Sequence, residues 1–342
     1  MGLLLSGFAL AMTALTVPST LAGALSVVRV SATLPASLTS ALPLVRLHFN
    51  QNVKATSLPA LAIHPTLRTA WEQIGPREVQ AVAIGTLVPS VLYRIAAPTQ
   101  LRCNPRCAFS ATQSRVTSVA ANVTWEDQLL AELHYLPLSF QPSASANSTS
   151  SQVPGTFTWE YPNLPASLIA QWQVGTNNVI LRGAVMAFQS AHGLATTGVA
   201  DTTTWRALIT AANTHAVDTS TYDFVNVSMA LPETLTLYVA GRETFHTLVN
   251  TGISVSPTAT GTYPVYLRYT SQTMSGTNPD GSHYSDPGIP WVSYFNGGDA
   301  LHGFIRATYG WPQSLGCVEM PFASAKTVWP YTPIGTLVTV QA

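Results

Sequence analysis

Apolar and polar residues alternate with period two through much of this chain, most clearly in its first third. Residues 45–49 alternate strictly, and short apolar runs over 79–88, 91–95 and 116–123 are separated by glycine and proline. A period of two is typical of strands with one buried face. Several short strands at this spacing predict a β-sandwich over residues 26–122.

The pattern changes to helical periodicity in residues 125–213. Helices are predicted over 126–133, 179–188 and 202–209, and Asp201 stands where an N-cap is expected. Short helices in under a hundred residues predict a small helical bundle.

Residues 222–342 return to alternation and predict a β-rich domain. The predicted strands cover 226–230, 234–239, 243–250, 265–269, 291–295 and 336–340. Between two of them, residues 275–290 are polar and rich in glycine and proline. Such a length exceeds an ordinary hairpin loop and predicts a lid. The fold class is therefore multidomain and mainly β.

Two of the three cysteines lie in the first predicted domain. The strand spacing there is typical of an immunoglobulin-like sandwich. Cys103 and Cys107 are close enough to pair across a tight turn, and a disulfide is expected in an oxidising compartment. A zinc site fits less well, because zinc takes about four ligands and no second cysteine pair exists.

The first 25 residues are apolar and uncharged and end in small residues. This pattern predicts a secretory signal peptide, and an uncleaved N-terminal anchor is the alternative. Both place the rest of the chain outside the cytoplasm.

Charged residues are scarce, and this excludes one class of partner. Asp, Glu, Lys and Arg make up 9% of the chain and the net charge is zero, against about 25% charged residues in typical domains. No basic surface for nucleic acid is predicted.

The remaining cysteine, Cys317, follows His302 closely and both have a glycine neighbour, Gly316 and Gly303. A thiolate is the nucleophilic form of cysteine, and an imidazole within reach can accept its proton. Backbone N–H groups near Gly316 and Cys317 could form an oxyanion hole. The residues predict an activated thiolate–imidazolium pair, and a buried thiol beside a core histidine is the alternative.

The helical region resembles a peptidoglycan-binding repeat, and the resemblance implies a small three-helix bundle. The residues that carry the resemblance are 184–194, 197–201 and 204–208, and residues 134–137 are similar to the family's first helix end. The low-complexity segment within 140–160 is predicted to be a flexible insertion or linker.

The last domain resembles the L,D-transpeptidase catalytic domain, the YkuD family. The matching positions are His302, Gly303, Ser314, Gly316 and Cys317, with flanking segments 261–265, 290–298 and 333–340. The resemblance implies a cysteine nucleophile, a histidine base and no metal or organic cofactor. Tyr294 and Trp311 are candidates for lining the substrate groove.

Two residues depart from the family motif. Leu315 stands where the family has a second histidine, and Glu319 stands where it has arginine or asparagine. We expect Glu319 to raise the thiol pKa or to change which stem-peptide group is accepted.

The resemblance implies an exported enzyme that acts on peptidoglycan stem peptides. It would join two stems by a 3→3 cross-link through a Cys317 thioester. The alternatives are an L,D-carboxypeptidase, a non-catalytic peptidoglycan-binding protein with a degenerate site, and a sortase. A sortase is disfavoured because no arginine follows Cys317.

Overall fold

A computed structural model describes most of the chain. The described residues are 25–31, 43–49, 51–84, 87–96, 107–108, 113–118, 120–143 and 152–342. They belong to two compact units, residues 1–121 and 122–342. Most of the predicted leader lies outside the described residues, as do Cys103 and the side chain of Cys107. None of the described helices is long and apolar enough to cross a membrane.

The first unit contains two sheets that share one apolar core. Its described elements are β1 (Leu25–Ser31), β2 (Pro43–Phe49), a 3-10 helix (Ala55–Ser57), β3 (Ala62–His64), β4 (Arg68–Gly75), β5 (Glu78–Ile84), β6 (Leu92–Ala96), β7 (Cys107–Ala108) and β8 (Gln113–Thr117). The sheet orders are β4-β5-β2-β1-β7 and β3-β6-β8. Leu47 and Val79 of the larger sheet pack in the same core as Tyr93 and Ile95 of the smaller one. This arrangement agrees with the predicted sandwich.

The second unit begins with a helical region. Its elements are α1 (Val123–Glu132), β9 (Leu138–Pro142), β10 (Gly155–Trp159), α2 (Ala166–Ile169), α3 (Val179–Ala191) and α4 (Thr202–Thr214). Asn122, Asn178 and Asp201 cap the three longer helices by accepting backbone N–H bonds of 2.8, 3.0 and 2.8 Å. Trp125 and Trp205 join α1 to α4, with ring centroids 5.0 Å apart.

Two predictions for this part of the chain were wrong in detail. The strand expected over 116–123 ends at Thr117, because Asn122 caps a helix that begins at Val123. The two ends of the insertion expected over 140–160 are paired, since β9 and β10 run antiparallel with Phe140 opposite Phe157, and its residues 144–151 lie outside the described residues. Cross-strand aromatic packing, with rings 5.0 Å apart, stabilises that strand pair.

The rest of the second unit consists of two sheets and a short helix. The elements are β11 (Asp223–Ser228), β12 (Thr234–Val239), β13 (Arg242–Leu248), β14 (Gly261–Pro264), β15 (Leu267–Thr277), β16 (His283–Asn296), β17 (Asp299–Gly303), β18 (Val318–Met320), α5 (Phe322–Val328), a 3-10 helix (Trp329–Tyr331) and β19 (Leu337–Gln341). The sheet orders are β13-β12-β11-β19-β14 and β15-β16-β17-β18. One core joins both sheets, with Val225 and Leu237 from the first and Leu301 and Val318 from the second.

The prediction of a lid loop over residues 275–290 was wrong. Residues up to Thr277 belong to β15, and residues from His283 belong to β16. The two strands pair as far as Thr277 and His283, so the turn is short. The polar residues that suggested a loop are instead the exposed positions of a hairpin.

The helical region packs directly on the β-rich region. A Cβ on Gly183 of α3 would lie 2.7 Å from the carbonyl oxygen of Gly335, and one on Gly335 would lie 2.4 Å from the oxygen of Gly183. Gly335 also has a φ of +94°, where side chains are strained. The close approach explains why both positions are glycine. The mainly β fold with a helical region is confirmed, and the boundaries predicted between the three domains stay a prediction.

Candidate active site

Cys317 and His302 lie on neighbouring strands. β17 and β18 run parallel, with Leu301 opposite Val318 and His302 opposite Glu319. Cys317 directly precedes β18, so its backbone continues the register opposite Ala300. Because side chains alternate across a strand, the thiol and the imidazole are on the same face, offset by two positions.

The thiol of Cys317 is in an apolar environment. It packs with a cluster that includes Ile289, Val292 and Ala300, and its Sγ–H donates to the carbonyl of Gly298 at 3.6 Å. Burial raises the pKa of the thiol to about 12; the Ala300 backbone N–H lowers it, and the charges of Asp299 and Glu319 raise it. The thiol is therefore neutral near pH 7.

The imidazole of His302 is fixed in one tautomer. The side chain is 3% exposed, and its Nδ1 lies 3.1 Å from the carbonyl oxygen of Gly303. Because a carbonyl only accepts, Nδ1 carries the proton and Nε2 is left as the base. Burial lowers the pKa of His302, the Gly303 carbonyl and Glu319 raise it, and Arg306 lowers it.

The two side chains expected to form a thiolate–imidazolium pair are not in hydrogen-bond contact. No hydrogen bond joins Cys317 to His302 among the described residues. Since burial raises the thiol pKa and lowers the imidazole pKa, both groups are neutral at rest. A buried site disfavours each charged form unless the two charges meet.

The turn before Cys317 is held by Ser314. Its hydroxyl donates to the Cys317 carbonyl at 2.5 Å, and it accepts the Gly316 N–H at 3.1 Å. Gly316 has a φ of +118°, and a Cβ there would lie 2.5 Å from Asp299 Oδ1. The Gly316 N–H expected in an oxyanion hole is thus already used, whereas the Cys317 N–H makes no hydrogen bond in the described part of the chain.

Glu319 forms a buried ion pair that sequence reasoning missed. Its two carboxylate oxygens accept from Nε and Nη2 of Arg306, both at 2.7 Å. Glu319 is 4% exposed, and Arg306 also donates to the Gln313 carbonyl at 3.3 Å. As expected, Glu319 raises the thiol pKa, but its effect is smaller than that of burial.

Asn250 anchors the connection between the two catalytic segments. Its backbone exchanges hydrogen bonds of 3.0 and 2.9 Å with Glu319. Its buried Oδ1 accepts the N–H groups of Gly310 at 3.1 Å and Trp311 at 3.4 Å. Neither Asn250 nor Arg306 stood in a recognisable motif, and their positions depend on pairing between distant segments.

The other candidate residues differ in their contact with the Cys317 thiol. Tyr294 lies in the cluster around the thiol, and its hydroxyl accepts from Gln272. Tyr284, which was not predicted, is also close: burial raises the pKa of its hydroxyl, and charge on Cys317 raises it further. The Trp311 side chain is 53% exposed, and its contact is made by its backbone with Asn250.

Two further histidines of the β-rich region are on the surface. His246 of β13 and His283 of β16 are exposed and lie beside Thr236 and Thr277. Among the described residues, no cluster of histidine, cysteine, aspartate and glutamate is arranged to hold a metal ion.

Two segments of the chain match known families. Residues 223–340 match the model of YkuD, the L,D-transpeptidase catalytic domain. Residues 173–208 match the model of a peptidoglycan binding domain. Both resemblances predicted from the motifs are confirmed. Comparison with curated proteins gives no match.

Several solved L,D-transpeptidase structures are similar to parts of this chain. The avibactam carbamoyl form of Ldtfm is 23% identical over 35% of this chain and 49% of its own length, with a TM-score of 0.33. The catalytic domain of the E. faecium L,D-transpeptidase is 24% identical over 34% of this chain and 95% of its own length, with a TM-score of 0.32. An L,D-transpeptidase from Mycobacterium smegmatis is 11% identical over 93% of this chain and 99% of its own length, with a TM-score of 0.33. This chain therefore covers about half the length of the Ldtfm structure.

Proposed function

From the L,D-transpeptidase catalytic domain at residues 223–340 and the peptidoglycan binding domain at 173–208, we propose that this protein is a cysteine L,D-transpeptidase of the cell wall. It cross-links peptidoglycan stem peptides outside the cytoplasm. The observation that carries the proposal is the position of Cys317 and the basic Nε2 of His302 on one face of adjacent strands.

In the first half-reaction, the Cys317 sulfur attacks the carbonyl that joins the third residue of a tetrapeptide stem to its terminal D-amino acid. His302 Nε2 takes the thiol proton as the carbon–sulfur bond forms. The proton then passes to the leaving amine as the carbon–nitrogen bond breaks. The products are a thioester on Cys317 and a free D-amino acid.

The neutral resting state determines when the proton moves. A thiol with a pKa of about 12 does not transfer its proton to a buried imidazole before substrate arrives. Transfer accompanies attack, when the negative charge passes from sulfur to the carbonyl oxygen. The unbonded N–H of Cys317 is the donor we assign to that oxygen.

In the second half-reaction, an amine from another stem attacks the thioester and forms a 3→3 cross-link. His302 accepts the proton of the amine, and the thiol is regenerated. Water in place of the amine would make the enzyme an L,D-carboxypeptidase.

A non-catalytic wall-binding protein is the second candidate. It is favoured by the neutral thiol, by the missing bond between Cys317 and His302, and by Leu315 at the motif's second histidine position. In that case the helical region alone would bind peptidoglycan.

Product analysis separates these candidates. The full chain is incubated with a disaccharide tetrapeptide and the products are identified by mass spectrometry. A cross-linked dimer supports the transpeptidase and a tripeptide supports the carboxypeptidase. Unchanged substrate, under conditions where an established L,D-transpeptidase forms dimer, would overturn the enzymatic proposal. Cys317→Ser is the negative control.

A further inference from the structure

Asp286 is a charged residue near Cys317 to which the mechanism above gives no role. It lies on β16 opposite Met274 of β15, and side chains at directly opposed positions of an antiparallel pair point to the same face of the sheet. Met274 and Cys317 pack against the same apolar cluster. The Asp286 side chain therefore points to the face of the sheet on which the thiol lies, which we call the catalytic face.

The electrostatic interactions of Asp286 agree with this placement. Burial lowers the pKa of His302, and the charge of Asp286 acts in the opposite direction. Tyr284 lies two residues before Asp286 on the same strand and so on the same face. Burial raises the pKa of the Tyr284 hydroxyl, and the charges of Cys317 and Asp286 raise it further. The carboxylate is thus on the side of the sheet where the thiol and the imidazole react.

The carboxylate of Asp286 differs from the two other carboxylates near the thiol because it is unmatched. Glu319 gives both oxygens to Arg306, and Asp299 accepts the Ala259 N–H at 3.1 Å. Half-buried Asp286 forms neither an ion pair nor a hydrogen bond with the residues that the structure describes. Since the thiol and the imidazole are neutral at rest, Asp286 gives the catalytic face one unmatched negative charge.

An unmatched carboxylate beside a neutral nucleophile favours a substrate that carries a positive charge. The second half-reaction uses such a substrate, because its acceptor is an amine and an alkylamine is protonated near pH 7. Water, the competing acceptor, has no charge. A single negative charge on the catalytic face therefore distinguishes the two acceptors.

We propose that Asp286 is a specificity-determining residue that binds the ammonium group of the acceptor stem on the catalytic face; the inference rests on the proposed function. The bound ammonium releases one proton to bulk water, and the free amine attacks the thioester carbonyl. His302 Nε2 takes a second proton as the carbon–nitrogen bond forms and returns it to the Cys317 sulfur as the carbon–sulfur bond breaks. Asp286 thus determines which acceptor is used and leaves thioester formation unchanged.

The test compares a charged acceptor with an uncharged one. The full chain, as wild type and as Asp286→Asn, is given a tetrapeptide donor and one of two acceptors, and the products are quantified by mass spectrometry. The acceptors are a stem tripeptide with a free side-chain amine and hydroxylamine, which is uncharged near neutral pH. The tripeptide concentration for half-maximal dimer formation should rise about tenfold in Asp286→Asn, as expected for the loss of one charge-assisted hydrogen bond. Hydroxamate formation and hydrolysis to the tripeptide should not change.

Two further variants serve as controls. Asp286→Glu keeps the charge and should stay closer to wild type than Asp286→Asn. Asp280→Asn, in the turn of the same hairpin, should not change the acceptor concentration, because the exposed Asp280 carboxylate accepts from Ser282. The same half-maximal concentration in wild type and Asp286→Asn, or an equal loss with hydroxylamine, would overturn the role of Asp286 alone. A wild-type protein that forms no thioester would overturn the proposed function and this inference together.

Discussion

Two pairs of side chains meet at β17 and β18, and they differ in every electrostatic respect. Cys317 and His302 are neutral and do not hydrogen-bond to each other, and Cys317 lies in an apolar cluster. Arg306 and Glu319 are charged and joined by two hydrogen bonds of 2.7 Å. The charged pair is matched and ties the segment between β17 and β18 to β18, whereas the reacting groups are left unmatched until substrate arrives.

The largest effect on activity is expected from His302→Gln. Glutamine keeps much of the volume but cannot accept a proton, and general-base catalysis contributes about 10²–10⁴-fold. We expect kcat to fall by about that factor while folding is preserved. His246→Gln, on the exposed face of β13, is the matched control. A His302→Gln enzyme with wild-type kcat in the tetrapeptide assay would remove the histidine from the mechanism.

Breaking the ion pair should mainly affect stability. Arg306→Met leaves the Glu319 carboxylate buried without a partner, and we expect a loss of about 2–4 kcal/mol. The lower part of this range is appropriate because the Arg306 side chain is 31% exposed. The free energy of unfolding is measured by urea titration.

The double variant Arg306→Met/Glu319→Leu is the sharper half of this experiment. It removes both charges and should recover most of the lost stability, because no uncompensated charge remains. Equal destabilisation in the single and double variants would show that the pair contributes by packing rather than by charge.

The charge state of the reactive pair can be read from alkylation. With the Cys317 pKa raised to about 12 by burial, iodoacetamide should react at pH 7.5 roughly 10²-fold more slowly than with a free cysteine. The rate, followed on the Cys317 peptide by mass spectrometry, should increase steadily from pH 7 to pH 10. A plateau near neutral pH would reveal a thiolate and contradict the neutral resting state.

Glu319→Gln should slightly increase the alkylation rate of Cys317. It removes a negative charge that raises the thiol pKa and the imidazole pKa. Alkylation of Cys317 should become faster. The acid limb of the pH–rate profile, which the lowered His302 pKa puts below the ordinary range of a histidine, should move to still lower pH. Movement of the acid limb toward higher pH would mean that Glu319 acts on His302 through geometry instead.

The smallest effect is expected at the departure from the family motif. Leu315→His would restore the second histidine of the family motif two residues before Cys317. We expect kcat to increase by up to about tenfold, less than the 10²–10³-fold of a fully aligned donor. An unchanged kcat would show that the backbone donor is sufficient, and a lower kcat would contradict the expected gain.

Local pattern was enough to predict many elements of this fold. Residues 234–239 were predicted as a strand and form β12, and Asp201 caps α4 as its side-chain chemistry requires. The same reasoning failed over residues 275–290, where polar residues occupy the exposed positions of a paired hairpin. A polar composition indicates exposure to water, and an exposed hairpin has the same polar composition as a loop.

The candidate site shows a similar division. Cys317, His302 and Ser314 follow from spacing and motif, because the nucleophile, the base and the turn lie within sixteen positions of each other. Arg306 and Asn250 could not be predicted, since their roles depend on which strands pair. The bond between Asn250 and Glu319 joins residues from distant segments, and no local pattern specifies that register.

The central claim is that Cys317 forms a thioester with the stem peptide, and acid-quenched intact mass spectrometry tests it most directly. Wild-type protein mixed with tetrapeptide substrate should gain the mass of the stem without its terminal D-amino acid. Peptide mapping should locate this adduct on Cys317, and Cys317→Ser should gain nothing. Cross-linked product formed by Cys317→Ser, or an adduct on any other residue, would contradict the account.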